Sequence, residues 1–355
     1  MELASPHLAR LAAQGRPAGS PAASEAREYC AGTLRAAGYS ISERSFEYSG
    51  LPGSWAAPIA GAAASLCAIA LFVGRHVRPA SVVALLAVPL VYLALQWIGT
   101  SGVLRLPVMR RRGVNLQAAR GGAEPKVWLV AHLDSKWQPV SMIARVAGIV
   151  VASVAGFGLL VLNFLPGSSE ILASALLLVA WVGTVPIMLS VVREGSDGAV
   201  DNASGVAAVL QAAESLPPDA NVGILITDAE ELALAGSRAW ALGRAPAIAL
   251  NCDSVDDDGR YTIMHGSVQF AAVTSAFRTA AAGAGVDLRI MRLLPGVLTD
   301  SVALADAGWQ TVTLSRGNAR TLRRIHTSRD SLSAMRGTGI ATAARMLAAT
   351  ALEFV

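Results

Sequence analysis

The chain has 355 residues, enough for one large domain or two ordinary ones. Apolar residues make up 53% and charged residues only 15%, against roughly 25% in a typical soluble domain. That excludes a disordered chain, a coiled coil and a simple soluble enzyme. The net charge is +4, and no basic cluster is large enough to suggest a nucleic-acid partner. The three cysteines, Cys30, Cys67 and Cys252, form no CxxC pattern, which argues against a disulfide framework or a structural zinc site.

The charge deficit is local. Residues 55–100 contain only Arg75 and Arg78, and residues 146–192 contain only Glu170, so 93 residues hold 3 of the 54 charges. Four runs stand out, Trp55–Gly74, Ala80–Gly99, Val146–Leu165 and Ile171–Val192. Each is about 20 residues long, roughly 30 Å as helix, which matches the apolar thickness of a bilayer. Short polar loops join them in pairs, which predicts two transmembrane hairpins at 55–100 and 146–192. The remaining segments, 1–54, 101–145 and 193–355, then share one side of the membrane and form one discontinuous domain. Trp55, Trp97 and Trp137 lie at or near run ends, as an interfacial belt requires. Arg105, the Arg110–Arg112 triplet, Lys136, Arg145 and Arg193 flank the polar side, whereas the opposite loops carry only Arg75 and Arg78. The positive-inside rule therefore predicts a multi-pass membrane protein with its polar domain in the cytoplasm.

The polar segments read as helices alternating with strands. Residues 22–37 read as an amphipathic helix stopped at Gly38, followed by a strand at Ile41–Tyr48. Val114–Ala119 and Lys126–Ala131 read as strands joined by a Gly121-Gly122 turn. After the second hairpin come a helix at Asn202–Leu216, a strand at Val222–Thr227, a helix at Leu232–Leu242 and a strand at Ala247–Cys252. Tyr261–Met264, Leu288–Met291 and Thr311–Leu314 read as further short strands, with helices at Val268–Ala282, Ser301–Ala307 and Ala334–Leu352. This alternation predicts an α/β fold with a mostly parallel central sheet flanked by helices.

The polar residues of interest fall at strand ends, where sites form in open α/β sheets. Lys126–Ala131 runs into His132-Leu133-Asp134, Val222–Thr227 into Asp228-Ala229-Glu230-Glu231, and Ala247–Cys252 into Asp253. Asp201-Asn202-Ala203-Ser204-Gly205 opens a helix, and His326 to Asp330 precedes the last one. Taken singly, each has an ordinary reading: a solvated Glu-Glu face, an N-cap with a tight turn, a surface histidine. Together, two histidines and several carboxylates are a first-row metal site by ligand type, zinc above all. The inventory fits two ions: one bridge, two histidines, two terminal carboxylates and one carboxylate left as base. Asp134 lies on the same face as His132 and is placed to accept the second ring N–H and fix its tautomer.

With these motifs in family order, the sequence resembles the M28 family of co-catalytic zinc aminopeptidases over residues 1–50, 114–141 and 193–355. The matching stretches are Ala131–Ser135, Val200–Ala207, Thr227–Glu231 with Ala235-Gly236-Ser237, Asn251-Cys252-Asp253, and His326-Thr327 with Asp330. The opening Gln14–Ser20 also looks like the family's. The resemblance implies two zinc ions per chain, bridged by Asp201. His132 and Asp253 would complete one site, and Glu231 and His326 the other. Glu230 would be the general base, Asp134 would count with it as catalytic, and the Asp201–Asn202 peptide would be cis. Two features depart from the family. The interval between Asp134 and Asp201 is 66 residues and contains an apolar hairpin, and Thr299-Asp300-Ser301 stands where Ser-Asp-His is common.

The resulting expectation is a membrane-embedded aminopeptidase whose partners are the lipid bilayer and a peptide or small amide. Other readings are a hydrolase of another small amide or N-modified amino acid, a single-zinc aminoacyltransferase like glutaminyl cyclases, and a non-catalytic binding protein. The Asp256-Asp257-Asp258 run reads as a solvated turn before Gly259, with attraction of a substrate amine as the alternative.

Overall fold

The computed structural model describes residues 5–293 and 297–355. The chain divides into two compact units: residues up to Tyr48 with Arg110–Trp137 and Glu194–Val355, and Ser49–Met109 with Gln138–Arg193.

The first unit is built on a single eight-stranded sheet in the order β1-β2-β4-β3-β5-β8-β6-β7. The strands are β1 (Ser40–Ser49), β2 (Arg110–Ala119), β3 (Val127–His132), β4 (Val222–Thr227), β5 (Ile248–Val255), β6 (Arg260–His265), β7 (Leu288–Arg292) and β8 (Gln310–Gly317). All six residues of β3 and of β4 are buried. Continuous apolar runs of this kind are what a strand covered on both faces requires. Trp128, Trp240 and Trp309 pack together on one side of it.

The sheet is mixed, which corrects the expectation of a mostly parallel one. β4, β3, β5 and β8 run parallel to one another, and β6 parallel to β7, but β2 runs antiparallel to β4 and β6 antiparallel to β8. The cause lies in two short connections. Only Asp256–Gly259 separates β5 from β6, and Gly259 turns the chain at φ +98°. Arg120–Lys126 separates β2 from β3, with Gly121 at φ +74°. Connections this short reverse the chain, because a parallel return needs a crossover of a dozen or more residues. Each reversed strand is separated from the strand across its short connection: β4 inserts between β2 and β3, and β8 between β5 and β6.

The helix Pro21–Ala36 begins where Ser20 caps the Ala23 amide and Pro21 occupies the first turn. It ends before Gly38, whose φ of +85° suits a residue without a side chain. The helix Gly205–Ser215 packs its small residues Gly205, Ala207 and Ala208 fully into the interior. A Cβ at Gly205 would collide with the Asn202 side chain and stand 2.5 Å from the Cys252 carbonyl oxygen. Two short helices, Pro6–Leu11 and Ala319–Arg324, were not anticipated. The final helix starts at Ile340 rather than Ala334.

The second unit holds the helices Leu51–Gly74, Arg78–Trp97, Met142–Phe164 and Glu170–Met188. Four segments are long and apolar enough to cross a membrane, the second continuing to Arg105, with mean hydropathy of 2.1–2.2. The first and third begin before residues 55 and 146 and the second segment runs past residue 100, so the unit spans Ser49–Met109 and Gln138–Arg193, while the last helix ends at Met188. Ala68, Leu71, Ala84, Ala155, Leu159 and Ala173 form a small-residue core between them. The outward faces carry large apolar side chains such as Leu90, Phe157 and Ile171, up to 84% exposed. The two hairpin loops lie together: Arg75 donates to Glu170 at 3.0 Å, and His76 lies 3.2 Å from the same carboxylate. Both hairpin tips therefore sit at one end of this unit.

Candidate metal centre

The carboxyl ends of three adjacent strands converge in the first unit. In register, His132 at the end of β3 stands opposite Thr227 at the end of β4, and Val130 opposite Asn251 of β5. The residues just beyond Thr227 and Asn251 bring Glu230, Glu231 and Asp253 to the same edge. Asp201 and His326 arrive on the segments that precede the buried helix Gly205–Ser215 and follow the helix Ala319–Arg324. His132, Asp201, Glu230, Glu231, Asp253 and His326 are all buried.

Asp201 lies between the two histidines. Its Oδ1 is 3.2 Å from His132 Nε2 and its Oδ2 is 2.8 Å from His326 Nε2. Asp253 Oδ1 and Glu230 Oε2 lie 3.7 and 3.9 Å from His132 Nε2. On the other side, Glu231 Oε1 lies 3.3 Å from His326 Nε2. Two ligand groups result, His132–Glu230–Asp253 and Asp201–Glu231–His326, each with donor atoms within 4.8 Å of one another.

The donor set fits divalent zinc. Zinc bonds of 2.0–2.2 Å place tetrahedral ligand atoms about 3.4 Å apart, and the separations here, 2.8 to 3.9 Å, bracket that value. Glu231 Oε1 and His326 Nδ1 are buried without a hydrogen-bond partner. A buried carboxylate oxygen left in that state is costly unless a cation meets it.

Two aspartates hold this arrangement through the main chain. Asp134 accepts from the Glu230 amide at 3.0 Å and from the Glu231 amide at 3.1 Å, using both carboxylate oxygens. His132 Nδ1 lies closer to the Asp134 carbonyl oxygen (3.1 Å) than to its carboxylate (3.7 Å). The ring is thus oriented by the Asp134 main chain, while the carboxylate, expected to do so, holds the Glu-Glu pair instead. Asp330 does the same for the other side, accepting from the Val200 and Asp201 amides at 2.8 and 3.1 Å. The Asp201–Asn202 peptide is cis. Asn202 ties it to β5 by donating to the Cys252 carbonyl and accepting from the Gly205 and Ser254 amides. Ala229, Ser254 and His326 all adopt left-handed φ near +60°. Such backbone costs of order 1–3 kcal/mol per residue and clusters at functional sites.

The charges are unequally tuned. Burial, with Glu231, Asp253 and Asp300 nearby, pushes Glu230 well above the usual carboxylate range against the pull of His132. Burial likewise raises Asp253. Burial also works on Asp201, but His132 and His326 outweigh it and hold that carboxyl well below its ordinary value. Glu231 is buried too, yet Lys136 and then His326 bring it down to about 2.

Lys136 is the residue that motif reading missed. Its Nζ forms an ion pair with Glu231 Oε2, leaving Oε1 toward His326. Its one sequence signal is that the chain has only two lysines among 29 basic residues. Arg16 is another: fully buried, it donates to the Leu133, Asp197 and Gly198 carbonyls on both sides of the site. Asp300, flanked by Thr299 and Ser301, is buried and accepts from Thr227 Oγ1 at 2.5 Å. Burial pushes it up to about 6.

The fold is that of known zinc aminopeptidases. A zinc aminopeptidase from Bacillus subtilis superposes with a TM-score of 0.58 at 15% identity, covering 98% of this chain and 93% of that one. An aminopeptidase from Aneurinibacillus sp. strain AM-1 gives 0.56 at 14%, covering 97% and 91%. A glutaminyl cyclase from Porphyromonas gingivalis gives 0.58 at 15%, covering 98% and 96%. No curated protein matches the sequence. The model of Peptidase family M28 matches residues 161–351, more than half of the chain, and carries Asp201, Glu230, Glu231, Asp253 and His326. His132 lies before that stretch and joins the site through β3. By this match the chain belongs to peptidase family M28, a family of zinc peptidases.

Proposed function

We propose that this protein is a membrane-embedded aminopeptidase that uses two zinc ions. The observation that carries the reading is Asp201, which directs one oxygen to each histidine and so joins two complete ligand groups. In this reading Asp201 would be shared by both ions, His132 and Asp253 would hold one, and Glu231 and His326 would hold the other. When bound, zinc lowers the pKa of a coordinated water toward 7 and polarises a carbonyl.

The chain's own residues supply the proton transfers. Glu230 is the general base: it lies at the edge of the first group and its buried carboxylate has a raised proton affinity. It accepts a proton from the attacking water and returns it to the departing amine. Asp134 fixes Glu230 and Glu231 through their amides, so base and ligand keep their spacing. In this reading the free α-amine of the substrate would bind beside the Glu231–His326 group. The four long apolar helices, with large side chains facing outward, support embedding in a bilayer. The excess of arginine and lysine flanking the polar segments supports a cytoplasmic catalytic domain.

A single-zinc glutaminyl cyclase-like activity is the second reading, and the fold likeness to glutaminyl cyclases favours it. His132 Nε2, at 3.2 Å from the bridging aspartate, speaks for the two-metal reading. The test is release of amines from a panel of aminoacyl reporters by detergent-purified protein, with and without chelator, beside cyclisation of an N-terminal glutaminyl peptide. Chelator-sensitive release without cyclisation is the expected result. Cyclisation without release would replace the aminopeptidase reading.

A further inference from the structure

A second site lies on the segment that delivers His326. The helix Ala319–Arg324 and residues 328–334 enclose an open pocket of about 580 Å³. Arg320, Arg323, Arg324 and Arg329 line it, together with Ser328 and Ser331, and no acidic residue does. From this arrangement we propose that the pocket binds a phosphate group.

Arg324 is the anchored member. It donates to Asp256 Oδ1 at 2.6 Å and to the Ala334 carbonyl oxygen at 3.0 Å, which fixes one guanidinium in the wall. The Asp256 carboxylate is committed there, since its other oxygen accepts from Thr321. Arg320, Arg323 and Arg329 are exposed, and among the described residues their guanidinium groups meet no carboxylate or other hydrogen-bond partner. Elsewhere in this unit Arg27, Arg238 and Arg244 sit on Glu43, Asp306 and Glu124, whereas exposed arginines such as Arg278 and Arg289 have no carboxylate partner among the described residues; what marks this cluster is that its unpaired members line one pocket. Three uncompensated cations facing one pocket repel each other, and a multivalent anion relieves that repulsion.

The chemistry favours phosphate over carboxylate. A phosphate monoester carries about −1.5 to −2 charge at neutral pH and presents three strong acceptor oxygens. Guanidinium groups meet such oxygens with two parallel hydrogen bonds, a geometry that a lysine cluster does not offer. A carboxylate would leave most of the charge unbalanced. The phosphate has two possible sources, a soluble phosphorylated ligand or the headgroup of a phospholipid. This inference does not depend on the zinc reading, because neither the ligands nor the general base line the pocket.

The test uses the full chain in detergent. Its melting temperature is followed during titration with inorganic phosphate, against acetate at matched ionic strength. Binding to the folded state alone raises stability as RT ln(1 + [L]/Kd), so a saturable rise of a few degrees specific to phosphate is expected. Arg323→Gln with Arg329→Gln should abolish it, Arg320→Gln alone should weaken it, and Arg278→Gln, an exposed position outside the pocket, should leave it intact. An equal shift in the double variant, or none in the parent protein, would overturn the proposal. The same titration in phosphatidylcholine nanodiscs, with and without phosphatidic acid, separates the sources. A headgroup already in the pocket removes the phosphate response when phosphatidic acid is present. A soluble ligand's site keeps the response in both.

Discussion

The two halves of the metal centre are built from the same residue types but are poised differently. Around His132, two buried carboxylates, Glu230 and Asp253, have raised proton affinities and no lysine partner. Around His326, Glu231 is held as an anion by Lys136, with a pKa lowered to about 2. Both glutamates are buried, so the difference comes from their charged neighbours: Lys136 and then His326 beside Glu231, and Glu231, Asp253 and Asp300 beside Glu230. Glu230 is therefore the carboxylate with raised proton affinity and Glu231 the one held as an anion, although the two are adjacent in the sequence. The proposed base and ligand roles rest on that contrast.

The largest expected effect breaks the comparison at that adjacent pair. Glu230→Gln should retain two zinc ions per chain and lower kcat by about 10²- to 10⁴-fold, the usual worth of a general base. Glu231→Gln should instead lose one zinc from the Asp201–His326 side. Metal analysis beside turnover distinguishes the two, and the same phenotype in both variants would erase the assigned division of labour.

Lys136→Met sharpens the comparison by removing one of its causes. Partners outside the ligand set typically contribute 10- to 100-fold in metal affinity or activity. The expected outcome is a weakening of that order for one zinc and an unchanged affinity for the other, read by chelator competition. Equal weakening of both would place Lys136 in a general structural role.

Gly205→Ala tests the scaffold beneath both halves. The added methyl would press on Asn202 and the Cys252 carbonyl. Overpacking of this kind costs about 1–3 kcal/mol, which thermal unfolding would register, with weaker zinc binding because Asn202 follows the bridging aspartate.

The smallest effect is on pH. Burial, with Asp134 nearby, pushes Asp228 up to about 7, and burial pushes Asp300 and Asp330 up to about 6. These groups bind more protons folded than unfolded between roughly pH 4 and 7. The stability they contribute is present below pH 4 and is lost as pH rises through their folded values. Metal-free protein should therefore melt at a lower temperature at pH 8 than at pH 5. Zinc acts in the opposite direction, since its ligands must be deprotonated. The stabilisation on adding zinc should grow over the same range, and a zinc effect that shrinks with pH would contradict the ligand set.

Local chemistry was legible in the sequence where residues act close to their strand ends. His132, Asp201, Glu230, Glu231, Asp253 and His326 each follow or precede a readable element, and the structure brings them together. The apolar helices were legible because charge exclusion needs no tertiary information. Strand pairing was not, since β4 and β8 enter the sheet between strands that are neighbours in the chain. The turns at Gly121 and Gly259 were visible, but their consequence for sheet direction depended on that insertion. Lys136 was read as a membrane-flanking cation, because nothing local shows that its ammonium meets a glutamate 95 positions later. Asp134 was placed on the correct face, but its main-chain partners belong to another strand end.

The most direct measurement is the zinc content of detergent-purified full-length protein, compared with that of the Asp201→Asn variant. The two-metal account predicts close to two zinc ions per chain in the parent protein and a loss of zinc from both sites in the variant, because one carboxylate would serve both. A single zinc that survives His132→Ala unchanged would contradict it.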